Sequence, residues 1–324
     1  MTNALGFDRL LATLGWSADS PEFETVWSEL NTLSRPEHPD AEERRYHDWV
    51  LVRRKGLELG FVDSEYQAAS ARFRWGHGDM VLSQLYFYSG HDDIQRYAGT
   101  LPFDLQWGDG RSIARRRLAA FEDSRHSHLT DTWDVPGYRL TAVYADDTGG
   151  LSRVVCRRLP EPIPSGHAAV VPPLLSLIGA FGDSVASQAF AGLWDPAVWT
   201  ADQLTQAREE DAIDLNAACG VTIGVVGEGR DPMLRSVTLH RNRDQDGSGW
   251  KGTLPCGLDF EDSPEALFKK VGSHPVQHAD SALTGHAVWH AESFTMHVLY
   301  SNVDNRLIRV KLMAPGTWRC VADE

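Results

Sequence analysis

The chain is poor in lysine. Only five of its 31 basic residues are Lys, and none sits in a G-K-[ST] phosphate loop. That excludes a Walker-type nucleotide cradle. Cysteine is scarce too: Cys156, Cys219, Cys256 and Cys320 lie far apart with no C-x-x-C pair. A disulfide framework or zinc ribbon is therefore not expected, and free thiols in a reducing compartment fit better. No apolar run reaches 18 residues, and Leu10–Leu14 is too short for a signal-peptide core. A soluble, cytoplasmic protein that does not enter a membrane is the expectation. Positive charge is also in short supply. The net charge is −14, with −5 on residues 1–159 and −9 on residues 160–324. Nucleic-acid binding would need a basic stripe, so it is not expected.

What the chain does have is a repeat. Tyr97-Ala98-Gly99-Thr100-Leu101-Pro102 returns as Trp250-Lys251-Gly252-Thr253-Leu254-Pro255, displaced by 153 residues. Gly56–Phe61 matches Gly220–Val225. Phe23 and Trp27 match Phe190 and Trp194, while Leu10-Leu11 and Leu14-Gly15 align with Leu174-Leu175 and Ile178-Gly179. Near the end of each half, Trp133, Leu140, Tyr144 and Arg153 match Trp289, Met296, Tyr300 and Arg309. Glycine, proline and large apolar residues recur, and these set turns and fill cores. The chain reads as two tandem repeats, residues 1–158 and 173–324, joined by a Pro-rich linker at 159–172.

Each half reads as α+β: an antiparallel sheet packed with helices. Phe7–Leu14 and Pro21–Leu33 have helical spacing, the second with Ser20 as N-cap. Strands are predicted at Asp48–Val52, Leu57–Phe61, Val81–Tyr88, Tyr138–Tyr144 and Leu151–Arg157. In the third of these, Val81, Leu85 and Phe87 are expected on one face and Leu82, Tyr86 and Tyr88 on the other. A helix over Arg111–Phe121 is expected to start at Asp109 as N-cap, with Ser263 taking that part in the second half. A single helix layer would leave one face of each sheet free. The two free faces are expected to line one concave binding surface.

The repeat makes unshared polar groups the candidates for function. His274, His278, His286 and His290 give two H-x-x-x-H spacings, which on a helix would put imidazoles side by side as zinc needs. The Glu of H-E-x-x-H is absent, and strand spacing would part His286 from His290. Ser124–His128 lacks a nucleophile-elbow context. Arg115-Arg116-Arg117 reads as a solvated helix face. The acidic loop tips His91-Asp92-Asp93, Asp146-Asp147 and Asp244/Asp246 are expected to contact a partner, with Trp75, Trp107 and Trp199 as unshared aromatic anchors.

The patterns Lys55-Gly56-Leu57-Glu58-Leu59-Gly60-Phe61, Tyr97–Pro102 and Trp250–Ser263 resemble small bacterial proteins encoded beside toxins and regarded as immunity proteins. The order of helix, Trp and closing hairpin is similar to the tandem architecture of the beta-lactamase inhibitory protein and to small lipoproteins of outer-membrane assembly. This resemblance implies a binding protein that needs no cofactor and whose partner is a cognate toxin. Two other classes stay open, a metal-dependent hydrolase built on His286 and His290 and an assembly scaffold.

Overall fold

The computed structural model describes residues 6–121, 124–145, 149–164, 171–227 and 231–318. The chain divides into two compact units, Met1–Glu161 and Pro162–Glu324. The first contains the strands β1 (His47–Val52), β2 (Leu57–Asp63), β3 (Met80–Tyr88), β4 (Ser124–His126), β5 (Thr130–Val135), β6 (Tyr138–Tyr144) and β7 (Leu151–Arg157). Its helices are α1 (Phe7–Leu11), α2 (Pro21–Leu30), α3 (Ser64–Gln67) and α4 (Arg111–Arg117). The second contains α5 (Leu174–Gly179), α6 (Gln188–Ala191), α7 (Ala201–Glu209), α8 (Asn216–Cys219) and α9 (Pro264–Val271). Its strands are β8 (Ala212–Asp214), β9 (Val221–Val226), β10 (Met233–His240), β11 (Gln277–Asp280), β12 (Thr284–His290), β13 (Thr295–Ser301) and β14 (Arg306–Met313).

Each unit is one antiparallel seven-stranded sheet. The strand order is β1-β2-β3-β7-β6-β5-β4 in the first, and β8-β9-β10-β14-β13-β12-β11 repeats it in the second. The likeness reaches single residues. Gly56 and Gly220 both end a short helical turn in the left-handed region, at φ 63° and 70°. A Cβ on Gly56 would meet the backbone at Gln95 and Tyr97, and one on Gly220 would meet Gly249 and Trp250. Only glycine fits where the Tyr97 or Trp250 segment crosses. Ser83 in β3 and Arg235 in β10 are extra residues in matching bulges, as are Ser152 in β7 and Ile308 in β14.

The bulge corrects the expected facing of β3. An extra residue reverses the alternation of side chains. Leu82 therefore joins Leu85 and Phe87 in the core, and Val81 does not. The first helix is corrected by one turn. The Gly15 N–H donates to the Leu82 carbonyl and the Gly182 N–H to that of Leu234, so Gly15 matches Gly182 and Leu10 matches Leu177. Both leucines are fully buried. Leucines recurring every helical turn allow either register in the sequence alone.

Caps place the longer helices. Ser20 accepts from the Phe23 N–H and Ser263 from the Ala266 N–H. At α4 the N-cap is Gly110 rather than Asp109. Asp109 turns back to accept from the Gln106 N–H and to meet Arg117 at 3.5 Å.

The cores differ at one point. In the first unit Phe23, Trp27 and Phe61 pack ring against ring, with Phe61 at 5.7 Å from both others. Val225 stands where Phe61 would be. Trp199, from the segment after α6, supplies the missing ring, 5.2 Å from Phe190 and stacked on Trp194 at 5.7 Å. The chain after α6 thus enters the core through Val198, Trp199 and Ala207. After α2 no residue between Leu30 and Val50 does so.

Candidate functional site

The four histidines weighed as an alternative metal cluster are not brought together. His286 and His290 stand four residues apart on β12, roughly 13 Å of extended chain. His278 is paired with Ala287 across β11 and β12, so it faces away from His286. It meets the Tyr300 hydroxyl at 2.9 Å and Asp280 at 2.8 Å. His274 lies exposed in the loop after α9, and His290 Nδ1 meets Thr295 Oγ1 at 2.9 Å. Among the described residues no group of three or more His, Cys, Asp or Glu is placed to hold a metal ion. The His286 ring lies 5.4 Å from that of His297, which stacks on Trp318. Burial, with the charges of His286 and Lys311 nearby, lowers the His297 pKa to about 4.

Several expected surface residues are not at the surface. Trp75 and Trp199 are buried at 3% and 8% exposure, because the first packs on Tyr66 and the second completes a core. Asp244 is no solvated loop tip. Its carboxylate receives Arg309 through both Nε and Nη2 and His240 Nδ1 at 2.7 Å, and His240 Nε2 lies 2.9 Å from Thr222 Oγ1. Burial opposes ionisation of Asp244, but His240 and Arg309 outweigh it and its pKa is lowered. Hydroxyl, imidazole and carboxylate here follow the order of a nucleophile relay. Yet His240 is 2% exposed and Asp244 is shared with Arg309, which suits a clasp on the strained loop where Arg243, Gln245 and Asp246 have positive φ. The matching positions in the first unit carry Glu58, Tyr88 and Arg153: Tyr88 donates to Glu58 at 2.5 Å beneath the Arg153 guanidinium.

Two arginines of the Arg115-Arg116-Arg117 run are likewise ion-paired rather than free in solvent. Arg115 binds Asp131 in a fork, at 2.9 and 2.8 Å, and Arg117 reaches Asp109. Asp131 is fully buried, with His126 at 2.9 Å and the Tyr144 hydroxyl at 3.2 Å. Burial acts to raise its pKa, but His126, Arg115 and Arg111 lower it overall. In the second unit Tyr300, the partner of Tyr144, donates to Asp280 instead.

His91, Asp92 and Asp93 are exposed together, and Asp93 meets Arg53 at 2.7 Å. Trp107 is half-buried against the core and walls a hollow of about 330 Å³ with Leu101 and Asp104. Asp246 is half-buried, and Asp146 and Asp147 lie outside the described residues. A larger cleft of about 830 Å³ lies between the end of α2 and Arg53-Arg54-Lys55.

The site that loop-by-loop reading missed is a charge run. From Leu159 to Gly229 the sequence holds nine Asp and Glu but one cation, Arg208. Asp202 and Glu209 lie on α7, Asp214 on β8, and Glu210 and Asp211 in the two-residue connection between them, all exposed. β8 is the edge strand of its sheet. Glu209 closes α7 and Glu210 caps its C-terminus, the helix end that disfavours negative charge. Counting basic residues by window, rather than inspecting loops, exposes this run.

Compared with models of protein families, with characterised proteins and with solved structures, the chain matches none. No helix among the described residues is long and apolar enough to cross a membrane.

Proposed function

We propose that this chain is a non-enzymatic binding protein, an immunity protein that neutralises a bacterial toxin by covering its active site. The observation that carries the reading is the acidic edge formed by α7 and β8. Of its exposed carboxylates, Glu209 and Glu210 stand at a helix C-terminus that opposes them, a cost of about 0.3–1 kcal/mol for each charge there. A basic partner would offset that cost and would be drawn in by the field of the run. Such a partner is a protein with a cationic catalytic face, as a nuclease has. The resemblance of the Lys55–Phe61 and Tyr97–Pro102 patterns to toxin-associated proteins supports the same reading.

The test is co-expression with the product of the neighbouring gene. Growth should be protected, and the triple variant Glu209→Lys, Glu210→Lys, Asp211→Lys should lose protection while keeping its fold. The expected loss in association rate is on the order of tenfold or more at low salt, shrinking as salt rises. A protein that never protects, or a triple variant that protects as well as the parent, overturns the reading. Co-purification in a large assembly, rather than with one small basic protein, would favour a scaffold instead.

A further inference from the structure

We propose that the cleft beside Arg53-Arg54-Lys55 binds a small organic phosphate that carries hydroxyl or amino groups. This site lies within the first unit and is independent of the acidic edge of the second. The 830 Å³ cleft falls within the size range of small-molecule sites. One wall is the 3₁₀ turn Arg53–Lys55, which follows β1, and the other is the end of α2, from Ser28 to Thr32. Leu30, Leu51 and Val52 line the cleft between them.

The charge there is anomalous. In a chain of net charge −14, three consecutive cations border one cavity. Among the described residues neither Arg54 nor Lys55 has a carboxylate within ion-pair distance. Among the described residues the Arg53 side chain is held in an ion pair by Asp93 alone, and both side chains of that pair are largely exposed, at 57% and 71%. Such an exposed pair contributes about 0–1 kcal/mol, so an incoming anion can displace Asp93. Guanidinium and ammonium groups together suit a phosphate, which Arg grips as a fork and Lys as a point charge.

The opposite wall sets the rest of the ligand. Asn31 closes α2 in the left-handed region and its N–H donates to the Ser28 carbonyl, which leaves the Glu29 and Leu30 carbonyls without a partner in the helix. Glu29 adds a carboxylate to that wall, already met by Arg9 at 2.6 Å. Acceptors require donors on the ligand, so hydroxyl or amino groups face α2 while the phosphate faces Arg54 and Lys55. The second unit has lost both features. Ala217, Ala218 and Cys219 replace the three cations, and its chain after α6 enters the core.

Calorimetric titration of the full chain with AMP, glucose 6-phosphate, inorganic phosphate and adenosine tests this. AMP or glucose 6-phosphate should saturate one site with Kd of about 1 mM or tighter. Adenosine should not bind, and inorganic phosphate should bind at least several-fold more weakly. The double variant Arg54→Ala, Lys55→Ala should weaken binding about tenfold or more. Asp93→Ala should tighten it a few-fold by freeing Arg53. No saturation by either organic phosphate, equal binding of adenosine, equal binding of inorganic phosphate, or an affinity unchanged in both variants would overturn the proposal.

Discussion

The two units share one sheet, strand for strand, and differ in how they treat the chain that follows the second helix. In the first unit Phe61 completes the ring cluster with Phe23 and Trp27, and the chain after α2 stays outside the core. In the second Val225 leaves that cluster short, and Trp199 is drawn in from the chain after α6. One apolar exchange thus accompanies two different surfaces. The first unit keeps a cleft edged by cations, while the second has a helix, α7, that carries exposed carboxylates. Positions common to both units set turns and cores, and charge is what diverged.

This comparison can be broken most forcefully at Trp199. Replacing it with alanine should cost about 3–5 kcal/mol in denaturant unfolding of the second unit. Adding Val225→Phe should recover part of that loss if Phe61 and Trp199 do the same work. Losses that simply add would show that the two rings are unrelated. The next largest effect separates the two tyrosine partners. Asp131→Ala strands Arg115, Arg111 and His126 around a fully buried position, and should cost about 2–3 kcal/mol. Asp280→Ala removes a partly exposed acceptor and should cost about 1 kcal/mol, so similar values for the two would erase the distinction.

The smallest effect is a pH dependence confined to the second unit. His297 occupies the position held by Thr141 in the first unit, where Thr132 Oγ1 is 3.3 Å from Thr141 Oγ1. The folded His297 titrates near 4 against an ordinary value of 6.5. Between those values the unfolded chain binds more protons, so stability rises with pH there and falls on acidification from 6.5 towards 4. Exposure of part of the ring limits the effect to on the order of 1 kcal/mol. His297→Phe should remove that portion of the acid sensitivity. An unchanged difference in stability between pH 4 and pH 7 would show that His297 is not its source.

Much of the architecture was legible in the sequence because duplicated glycines and apolar residues report backbone geometry. Gly56 and Gly220 marked matching turns ahead of a strand, whereas the strands that carry Trp133 and Trp289 were not foreseen. Leu82 was misplaced because a bulge adds a residue without changing composition. Leu10 was paired one turn early because helical leucines repeat. The candidate site was less legible. Trp75, Trp199 and Asp244 differ between the units for reasons of packing and loop closure, and a divergent residue in a sequence carries no sign of which way it faces. Arg115 and Asp131 lie on different elements, and nothing local in the sequence joins them.

The central claim is that recognition falls to the diverged surfaces and not to the shared ones. Hydrogen–deuterium exchange of the chain alone and in complex with its neighbouring gene product tests this most directly. The account predicts added protection over Ala201–Asp214, with the two Leu-Pro turns at Leu101–Leu105 and Leu254–Leu258 unchanged. Protection centred on both of those turns, with Ala201–Asp214 exchanging as freely as before, would contradict it.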